Sequence, residues 1–184
     1  MRKILCLFFL VVAIIVLDQF TKYVVAKYMF HGESIEVISG LFNFTFVKNT
    51  GVAFGMGATA TPLYRMVMFI FVPILACIWL LFLIWNAKNK SIRLGLAYSM
   101  ILAGAVGNLI DRISIGYVVD FFHFYFKNYH FAVFNVADSC ITIAAGILII
   151  DFIIEIRKNY SANRVASLSQ NNENNENDKN KKRS

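Results

Sequence analysis

The stretch MVMFIFVPILACIWLLFLIW, residues 66–85, contains 20 consecutive residues without a charged side chain. An α-helix rises 1.5 Å per residue, so a helix of this length spans about 30 Å, the thickness of the hydrocarbon core of a bilayer. Comparable apolar segments run from Ile4 to Leu17, extending to about Met29, from Leu94 to Ile110, and from about Phe131 to Ile154. The sequence therefore predicts four transmembrane helices.

Composition and charge distribution agree with a membrane protein. Of 184 residues, 58% are hydrophobic and 16% are charged, and the mean hydropathy is +0.61. If the four helices alternate in direction, 12 of the 18 Lys and Arg residues fall on one side, including Arg2, Lys3, the Lys88 and Lys90 loop and the C-terminal tail. Cytoplasmic loops carry such an excess, so both termini are predicted to be cytoplasmic. The basic residues flank apolar segments, which excludes a nucleic-acid-binding domain as the reason for the net charge of +7.

The first apolar segment has one alternative interpretation. Arg2 and Lys3 followed by an apolar run also resemble a secretory signal peptide. However, no small-residue cleavage site follows, and the apolar pattern resumes at Tyr23 after a short polar interruption. A retained first helix is therefore favoured.

Two segments outside the predicted helices differ in character. Phenylalanines alternate with other residues in Leu41–Phe46, which is the period-two signature of a half-buried strand. Tyr117–Phe134 contains nine aromatic residues among eighteen, a density typical of an aromatic belt lying along the outer membrane surface. The predicted fold class is a membrane all-α protein with a small β element, comprising four transmembrane helices, an extracytoplasmic β-cradle and an interfacial aromatic segment.

The C-terminal end of the chain is polar. From Asn159 onward the apolar content falls, and Asn171–Ser184 is an Asn-rich run of low complexity. Such segments cannot bury enough apolar surface to form a core. We therefore expect one membrane domain over residues 1–158 and a disordered polar cytoplasmic tail over residues 159–184.

The unusual polar residues converge near the outer membrane interface when they are placed by depth along the helices. Asp18 and Lys22 are four apart, as expected for an ion pair on one helix face. Arg112 is the natural counter-ion for Asp111 or for an acidic substrate group. The full set comprises Asp18, Lys22, Asn108, Asp111, Arg112, Asn135 and Asp138 on helices, with Asn49 and Asp120 in the two outer loops.

Asp120 and Asp138 are the candidates for chemistry. Ionisable groups at membrane depth are costly, and two acids that share one site are driven to different proton affinities, which suits acid/base catalysis. Equally, Asp120 can be a solvated loop residue and Asp138 a helix-start acid favoured by the macrodipole. The residues alone leave both interpretations open.

Other sites have weaker support. His31, His123 and His130 lack the spacing of metal ligands, and neither a His-Glu-x-x-His nor a Gly-x-Ser-x-Gly motif occurs. The three cysteines lie within apolar runs and are expected to be buried small hydrophobes. Neither a metal nor another cofactor is expected.

Five ordered blocks of sequence resemble the signature motifs of the lipoprotein signal peptidases, also called signal peptidase II. The resemblance covers residues 1 to about 158. It implies an aspartic endopeptidase that cleaves diacylglyceryl-modified prolipoproteins just before the lipidated cysteine. The blocks are Asp18–Lys22, Asn49–Gly55, Gly107–Arg112, Val118–Phe121 and Phe134–Asp138.

The resemblance also implies a role for each residue of these blocks. It makes Asp120 and Asp138 the catalytic pair, in a multi-pass protein of the bacterial cytoplasmic (inner) membrane whose active site lies at the extracytoplasmic interface. Its partners are prolipoprotein substrates and membrane lipid, without nucleic acid, and we expect a monomer. Substrate-orienting roles fall to Asn49, Asn108, Arg112 and Asn135, and supporting roles to Asp18, Lys22, Gly51 and Asp111.

Two functions from other classes compete with the peptidase. A small transporter or proton-relay subunit would use intramembrane acids such as Asp18, Asp111 and Asp138 as a conduction path. It predicts polar residues through both leaflets, whereas the inner halves of the four segments are nearly free of them apart from Asp151. A structural assembly protein would tolerate loss of the Asp120 carboxylate.

Overall fold

The computed structural model describes residues 2–51, 61–87 and 91–181. The Val52–Gly55 part of the second block, and Lys88 and Lys90 of the basic loop, lie outside these ranges. The elements, in chain order, are α1 Arg2–Tyr28, β1 Ser34–Ile38, β2 Phe42–Asn49, α2 Pro62–Met66, a π-helical turn Val67–Phe71, α3 Val72–Ala87, α4 Ile92–Ser114, β3 Val118–Phe126, β4 Tyr129–His130 and α5 Val136–Lys181.

Four helical stretches are long and apolar enough to cross a membrane. They are Arg2–Tyr28, Pro62–Ala87, Ile92–Ser114 and Val136–Ser161. Their outward faces carry large apolar side chains that are mostly exposed, among them Phe9 at 61% and Trp79 at 61%. Such a continuous apolar surface is typical of contact with lipid rather than with water. The predicted multi-pass membrane fold with four spans is confirmed.

Helix α4 lies at the centre of the bundle and contacts α1, α3 and α5. Its buried face is made of small residues, including Ala97 and Ala103, which are fully buried. A Cβ atom added at Gly104 would come within 2.5 Å of the Ala137 carbonyl oxygen. Small residues let helix backbones approach closely, which is how packing holds membrane helices together without a hydrophobic driving force.

The strands form one antiparallel sheet in the order β1-β2-β3-β4. Phe44 pairs with Phe122 and Val47 with Asp120, with a register shift between these pairs. The predicted strand around Leu41–Phe46 is confirmed. Within the aromatic segment Tyr117–Phe134, residues 118–126 form a strand that hydrogen-bonds to β2, a pairing that the sequence did not predict. Unpaired backbone groups are costly, so β2 gains by pairing with this second β-rich segment.

The sheet is fixed to the C-terminal end of the first helix. Val25 of α1 packs in a buried cluster with Phe46 of β2 and with Val119 and Phe121 of β3. Val119 and Phe121 lie on either side of Asp120 in sequence. The cluster therefore sets the height of Asp120 relative to the helices.

Helix α5 continues beyond its apolar part to Lys181. The sequence predicts disorder from residue 159, and the structure differs by continuing the helix there. Adding a residue to an existing helix avoids the cost of nucleation, so a polar segment can extend a helix that is anchored upstream. The division into a membrane domain and a tail stays a prediction.

Candidate active site

Asp120 and Asp138 line the same cleft, although 17 residues separate them in the chain. Asp120 lies in β3 and is 2% exposed, and Asp138 lies in the first turn of α5. The sequence placed Asp120 and Asn49 in loops, whereas both are strand residues of the paired β2 and β3. The cleft has a volume of about 300 Å³, and Asn49, Asn108 and Arg112 also line it.

Two asparagines hold the carboxyl group of Asp120. Asn49 donates from Nδ2 to Oδ2 at 2.9 Å, and Asn135 donates from Nδ2 to Oδ1 at 2.7 Å. The pKa of Asp120 is raised to about 7, mainly by burial and also by the nearby negative charge of Asp138, against the opposing effect of the hydrogen bonds from Asn49 and Asn135. A carboxyl group with this pKa can hold a proton near neutral pH.

Asp138 is held by a different set of donors. Its Oδ1 accepts from Asn108 Nδ2 at 2.8 Å, and its Oδ2 accepts from the Asn135 backbone N–H at 3.2 Å. Asn135 Oδ1 in turn accepts from the Asp138 backbone N–H at 3.0 Å. This reciprocal arrangement is a capping box, and it places the carboxylate at the positive end of the helix dipole.

Lys22 determines which way the Asn108 amide points. Lys22 Nζ donates to Asn108 Oδ1 at 2.8 Å. An ammonium group has no acceptor, so the amide oxygen must face it. The amide nitrogen of Asn108 is thereby directed at Asp138.

A buried ion cluster surrounds Lys22. Its Nζ lies 2.8 Å from Asp18 Oδ2 and 3.0 Å from Asp111 Oδ2. The predicted pair of Asp18 with Lys22 is confirmed. Asp111 pairs with Lys22 rather than with its neighbour Arg112, which corrects the pairing that the sequence suggested. A buried lysine between two carboxylates lowers the cost of burying all three groups.

The two carboxylates of this cluster also anchor the backbone next to the candidate pair. Asp18 Oδ1 accepts from the Ala137 N–H at 2.9 Å, and Asp111 Oδ2 accepts from the Val119 N–H at 3.1 Å. Ala137 precedes Asp138, and Val119 precedes Asp120. One ion cluster therefore positions both segments, which gives the supporting residues a physical role.

Arg112 anchors the end of β2. It donates from Nη2 to the Gly51 carbonyl at 3.2 Å and from Nη1 to the Asn108 carbonyl at 3.4 Å, and its guanidinium lies 5.6 Å from the centre of the Phe69 ring. The Gly51 N–H donates to Asn49 Oδ1 at 3.0 Å. This bond orients the Asn49 amide so that its nitrogen faces Asp120.

One residue of the site, Gln19, is not among the candidate residues that were selected from the sequence. Gln19 donates from Nε2 to Asp111 Oδ1 at 2.9 Å and to the Gly107 carbonyl at 3.1 Å. The signal for Gln19 was its polarity within an apolar run, directly after Asp18. Across residues 2–51, 61–87 and 91–181, no group of three His, Cys, Asp or Glu side chains is arranged to hold a metal ion.

An apolar groove of about 670 Å³ continues from the cleft. Phe124, Phe131 and Ile143 line it, and it shares Phe134, Asp138 and Thr142 with the cleft. No sequence pattern indicates this groove, because its wall combines β3, the segment before α5 and α5 itself. The cleft can therefore receive a ligand that has a large apolar part beside the acids.

Comparison with known proteins identifies relatives over most of the chain. The family described as Signal peptidase (SPase) II matches residues 10–154. The lipoprotein signal peptidase of Syntrophus aciditrophicus is 40% identical over 154 residues, which cover 83% of this chain and 96% of the relative. That of Brevibacillus brevis is 42% identical over 153 residues, which cover 83% and 98% of the two chains.

Solved structures agree with the sequence relatives. Two structures described as bacterial membrane enzymes are each 33% identical to this chain, with TM-scores of 0.70 and 0.68. The match to the first structure covers 82% of this chain and 89% of the chain in that structure. The match to the second covers 80% of this chain and 92% of the other. The family match over residues 10–154 includes most of each of the four spans and the whole sheet that hold the candidate site. The chain belongs to the signal peptidase II family.

Proposed function

We propose that this protein removes signal peptides from diacylglyceryl-modified prolipoproteins by cleaving the peptide bond before the lipidated cysteine, with Asp120 and Asp138 as the catalytic pair. Its family membership makes it a peptidase that processes prolipoproteins. The single observation that carries the catalytic assignment is that both carboxyl groups line one cleft. Each of their four oxygens accepts a hydrogen bond from an asparagine.

The two acids have different environments, which supports different roles. Asp120 is the buried acid whose pKa is raised to about 7, so it carries the proton and donates a hydrogen bond to the scissile carbonyl. Asp138 lies at a helix N-terminus and accepts a backbone N–H, and both contacts favour a carboxylate, although burial acts in the opposite direction. With the proton of the pair on Asp120, Asp138 acts as the base that activates the water.

The reaction balances within the pair. Asp138 takes a proton from the water, and the resulting hydroxide adds to the carbonyl carbon, while the proton of Asp120 passes to the carbonyl oxygen to form a neutral gem-diol. Asp138 then gives its proton to the nitrogen of the cysteine, and the C–N bond breaks. Asp120 recovers its proton as the carboxylic acid product forms. Both acids return to their starting states.

The position of the site suits a substrate held in the membrane. A diacylglyceryl group keeps the neighbouring peptide bond at the interface, and the apolar groove beside Asp138 supplies a surface for apolar parts of that substrate. We further propose that the protein acts as a monomer, in contact with membrane lipid and without a cofactor or nucleic acid.

For the same reasons we propose a location and an orientation. The protein lies in the bacterial cytoplasmic (inner) membrane with both termini in the cytoplasm. The distribution of Lys and Arg residues supports this orientation. It places the sheet and the active site at the extracytoplasmic interface.

A proton-relay function receives less support. Asp151, towards the other end of the bundle, lies 2.6 Å from Arg93 Nε and accepts a hydrogen bond from Ser91 at 3.2 Å. This ion pair joins α4 to α5, which is a structural role. The peptidase therefore remains the better explanation of the polar residues.

The test is cleavage of a diacylglyceryl-modified prolipoprotein by the purified wild type and by Asp120→Asn and Asp138→Asn. Each substitution should lower kcat at least about 1,000-fold, because it removes one member of a pair that acts as a unit. Glu36→Gln, an acid-to-amide change at an exposed position of β1, should leave the rate unchanged. Substantial activity in either folded aspartate variant would refute the catalytic assignment.

A further inference from the structure

Three neighbouring cavities share lining residues across the site. The apolar groove shares Asp138 and Thr142 with the cleft. The cleft in turn shares Asn49 and Arg112 with a third cavity of about 330 Å³. The series is apolar at one end, acidic in the middle and, as the remaining lining of the third cavity indicates, basic at the other end.

The basic end contains two guanidinium groups, those of Arg65 and Arg112. Among the lining residues of this cavity none is acidic. The two arginines differ in their partners: Arg112 faces the cleft acids and bonds backbone carbonyls, as described above. Arg65 has a buried Nε for which no acceptor lies within hydrogen-bonding distance among the described residues.

Local structure directs Arg65 into the cavity. Helix α2 begins after Thr61, whose side chain caps it, with Pro62 in the first turn. Arg65 and Phe69 are four residues apart and line the same cavity, as expected for one helix face. Phe69 also contacts the guanidinium of Arg112. An arginine that is held in a cavity with an unused buried donor is suited to accept a ligand that brings oxygen atoms.

We propose that Arg65 is a specificity-determining residue that binds the peptide segment following the lipidated cysteine and favours acidic over basic side chains there. This inference rests on the proposed function. A prolipoprotein has two apolar parts, the signal helix and the diacylglyceryl group, and one polar part, the segment after the cysteine. Of the two cavities that flank the cleft, the groove is lined mainly by apolar residues and the third cavity carries Arg65 and Arg112, so the polar segment lies in the third cavity when the scissile bond lies at Asp120 and Asp138.

The two arginines of the third cavity predict the preference for acidic side chains. An extended peptide presents carbonyl oxygens that the planar fork of arginine can bind for any sequence. A carboxylate side chain adds an ion pair with Arg65, whereas a lysine side chain adds repulsion from both arginines in a cavity without a lining acid. The preference should appear mainly in KM, because Arg65 contacts the substrate away from the scissile bond.

The experiment compares lipidated substrates that carry Glu, Gln or Lys at the second residue after the cysteine. With the wild type, kcat/KM should be about 10-fold higher for Glu than for Lys, with Gln between them. Arg65→Gln should bring this ratio close to one, and Arg65→Glu should reverse it. The reversed preference of Arg65→Glu is the decisive result, because a misfolded variant cannot gain preference for the lysine substrate.

A matched control removes a positive charge elsewhere at the same end of the molecule. Lys127 lies in the turn between β3 and β4 with a φ of 52°, which asparagine tolerates well. Lys127→Asn should retain the wild-type ratio of kcat/KM for the Glu substrate over the Lys substrate. A lowered ratio in this variant would show an effect of net charge alone.

The outcomes separate this inference from the proposed function. If no lipidated substrate is cleaved, the proposed function fails. If the wild type cleaves all three substrates equally well, or if Arg65→Glu keeps the preference for Glu, the role of Arg65 is overturned and the peptidase stands. A rate that follows the content of anionic lipid in the vesicles, and not the substrate residue, would assign Arg65 to a lipid phosphate and equally overturn the proposal.

Discussion

Asn135 and Asp138 cap each other. The Asn135 side chain accepts the Asp138 N–H at 3.0 Å, and the Asp138 side chain accepts the Asn135 N–H at 3.2 Å. The Asn135 amide nitrogen is then free to donate to Asp120 at 2.7 Å. A local motif that begins helix α5 therefore also sets the positions of both candidate catalytic carboxyl groups.

The first prediction separates the cap from the chemistry at Asp138. Asp138→Asn keeps an oxygen that can accept the Asn135 N–H, whereas Asp138→Ala removes the cap contact. Both should be inactive, but only the alanine variant should lose about 1 kcal/mol of stability. Activity assays combined with thermal unfolding in detergent measure the two effects. Equal stability of the two variants would show that the cap contributes little.

The second prediction concerns Lys22. Lys22→Met should destabilise the protein by about 3–5 kcal/mol, because it leaves the carboxylates of Asp18 and Asp111 buried without a counter-ion. Adding Asp111→Asn to this variant should recover part of the loss. Lys27→Met, on the exposed side of the same helix, is the control. Unfolding free energies in mixed micelles report the effect, and a small loss for Lys22→Met would contradict a buried ion cluster.

The third prediction uses the raised pKa of Asp120. If the protonated form donates to the scissile carbonyl, kcat should fall as the pH rises through about 7. The hydrogen bond from Asn49 lowers this pKa, so Asn49→Ala should raise it and move the falling limb to higher pH. The measurement is kcat from pH 5 to 9 for both proteins. A limb that stays in place or moves to lower pH would argue against Asp120 as the proton donor.

The fourth prediction concerns the packing of α4 against the ion cluster. A Cβ atom added at Gly107 would come within 2.6 Å of Asp18 Oδ2, whereas one added at Gly146 meets nothing within 4 Å. Gly107→Ala should therefore destabilise the protein by about 1–3 kcal/mol and lower activity, because Asp18 anchors the Ala137 N–H. Gly146→Ala, the matched control in α5, should be neutral or slightly stabilising. Similar unfolding curves for the two variants would contradict the close contact.

Local patterns were sufficient for part of the fold. Long apolar segments predicted the four spans, because the bilayer thickness sets helix length, and alternation in Leu41–Phe46 predicted β2. The spacing of Asp18 and Lys22 predicted their ion pair, because residues four apart share a helix face. Each of these features depends only on residues within a single helix or a single strand.

Long-range partners were not accessible in this way. The aromatic density of Tyr117–Phe134 indicated the membrane surface, and only the pairing with β2 identified residues 118–126 as a strand. The sequence offered Arg112 as the counter-ion of Asp111 or of an acidic substrate group, and the packing of α1 against α4 brought Lys22 to Asp111 instead. The residue types of one segment do not specify which distant segment of the chain packs against it.

The sequence by itself thus determined that this is a four-span membrane protein, and its motifs identified the family and the two candidate acids. It left Asp120 open as either a solvated loop residue or a catalytic one. Tertiary structure decided the environment of Asp120: the packing of β2, β3 and α5 buries its carboxyl group, which raises its pKa, and brings Asn49 and Asn135 within hydrogen-bonding distance of it. Burial and hydrogen bonding from distant segments set proton affinity, and these exist only after the chain has folded.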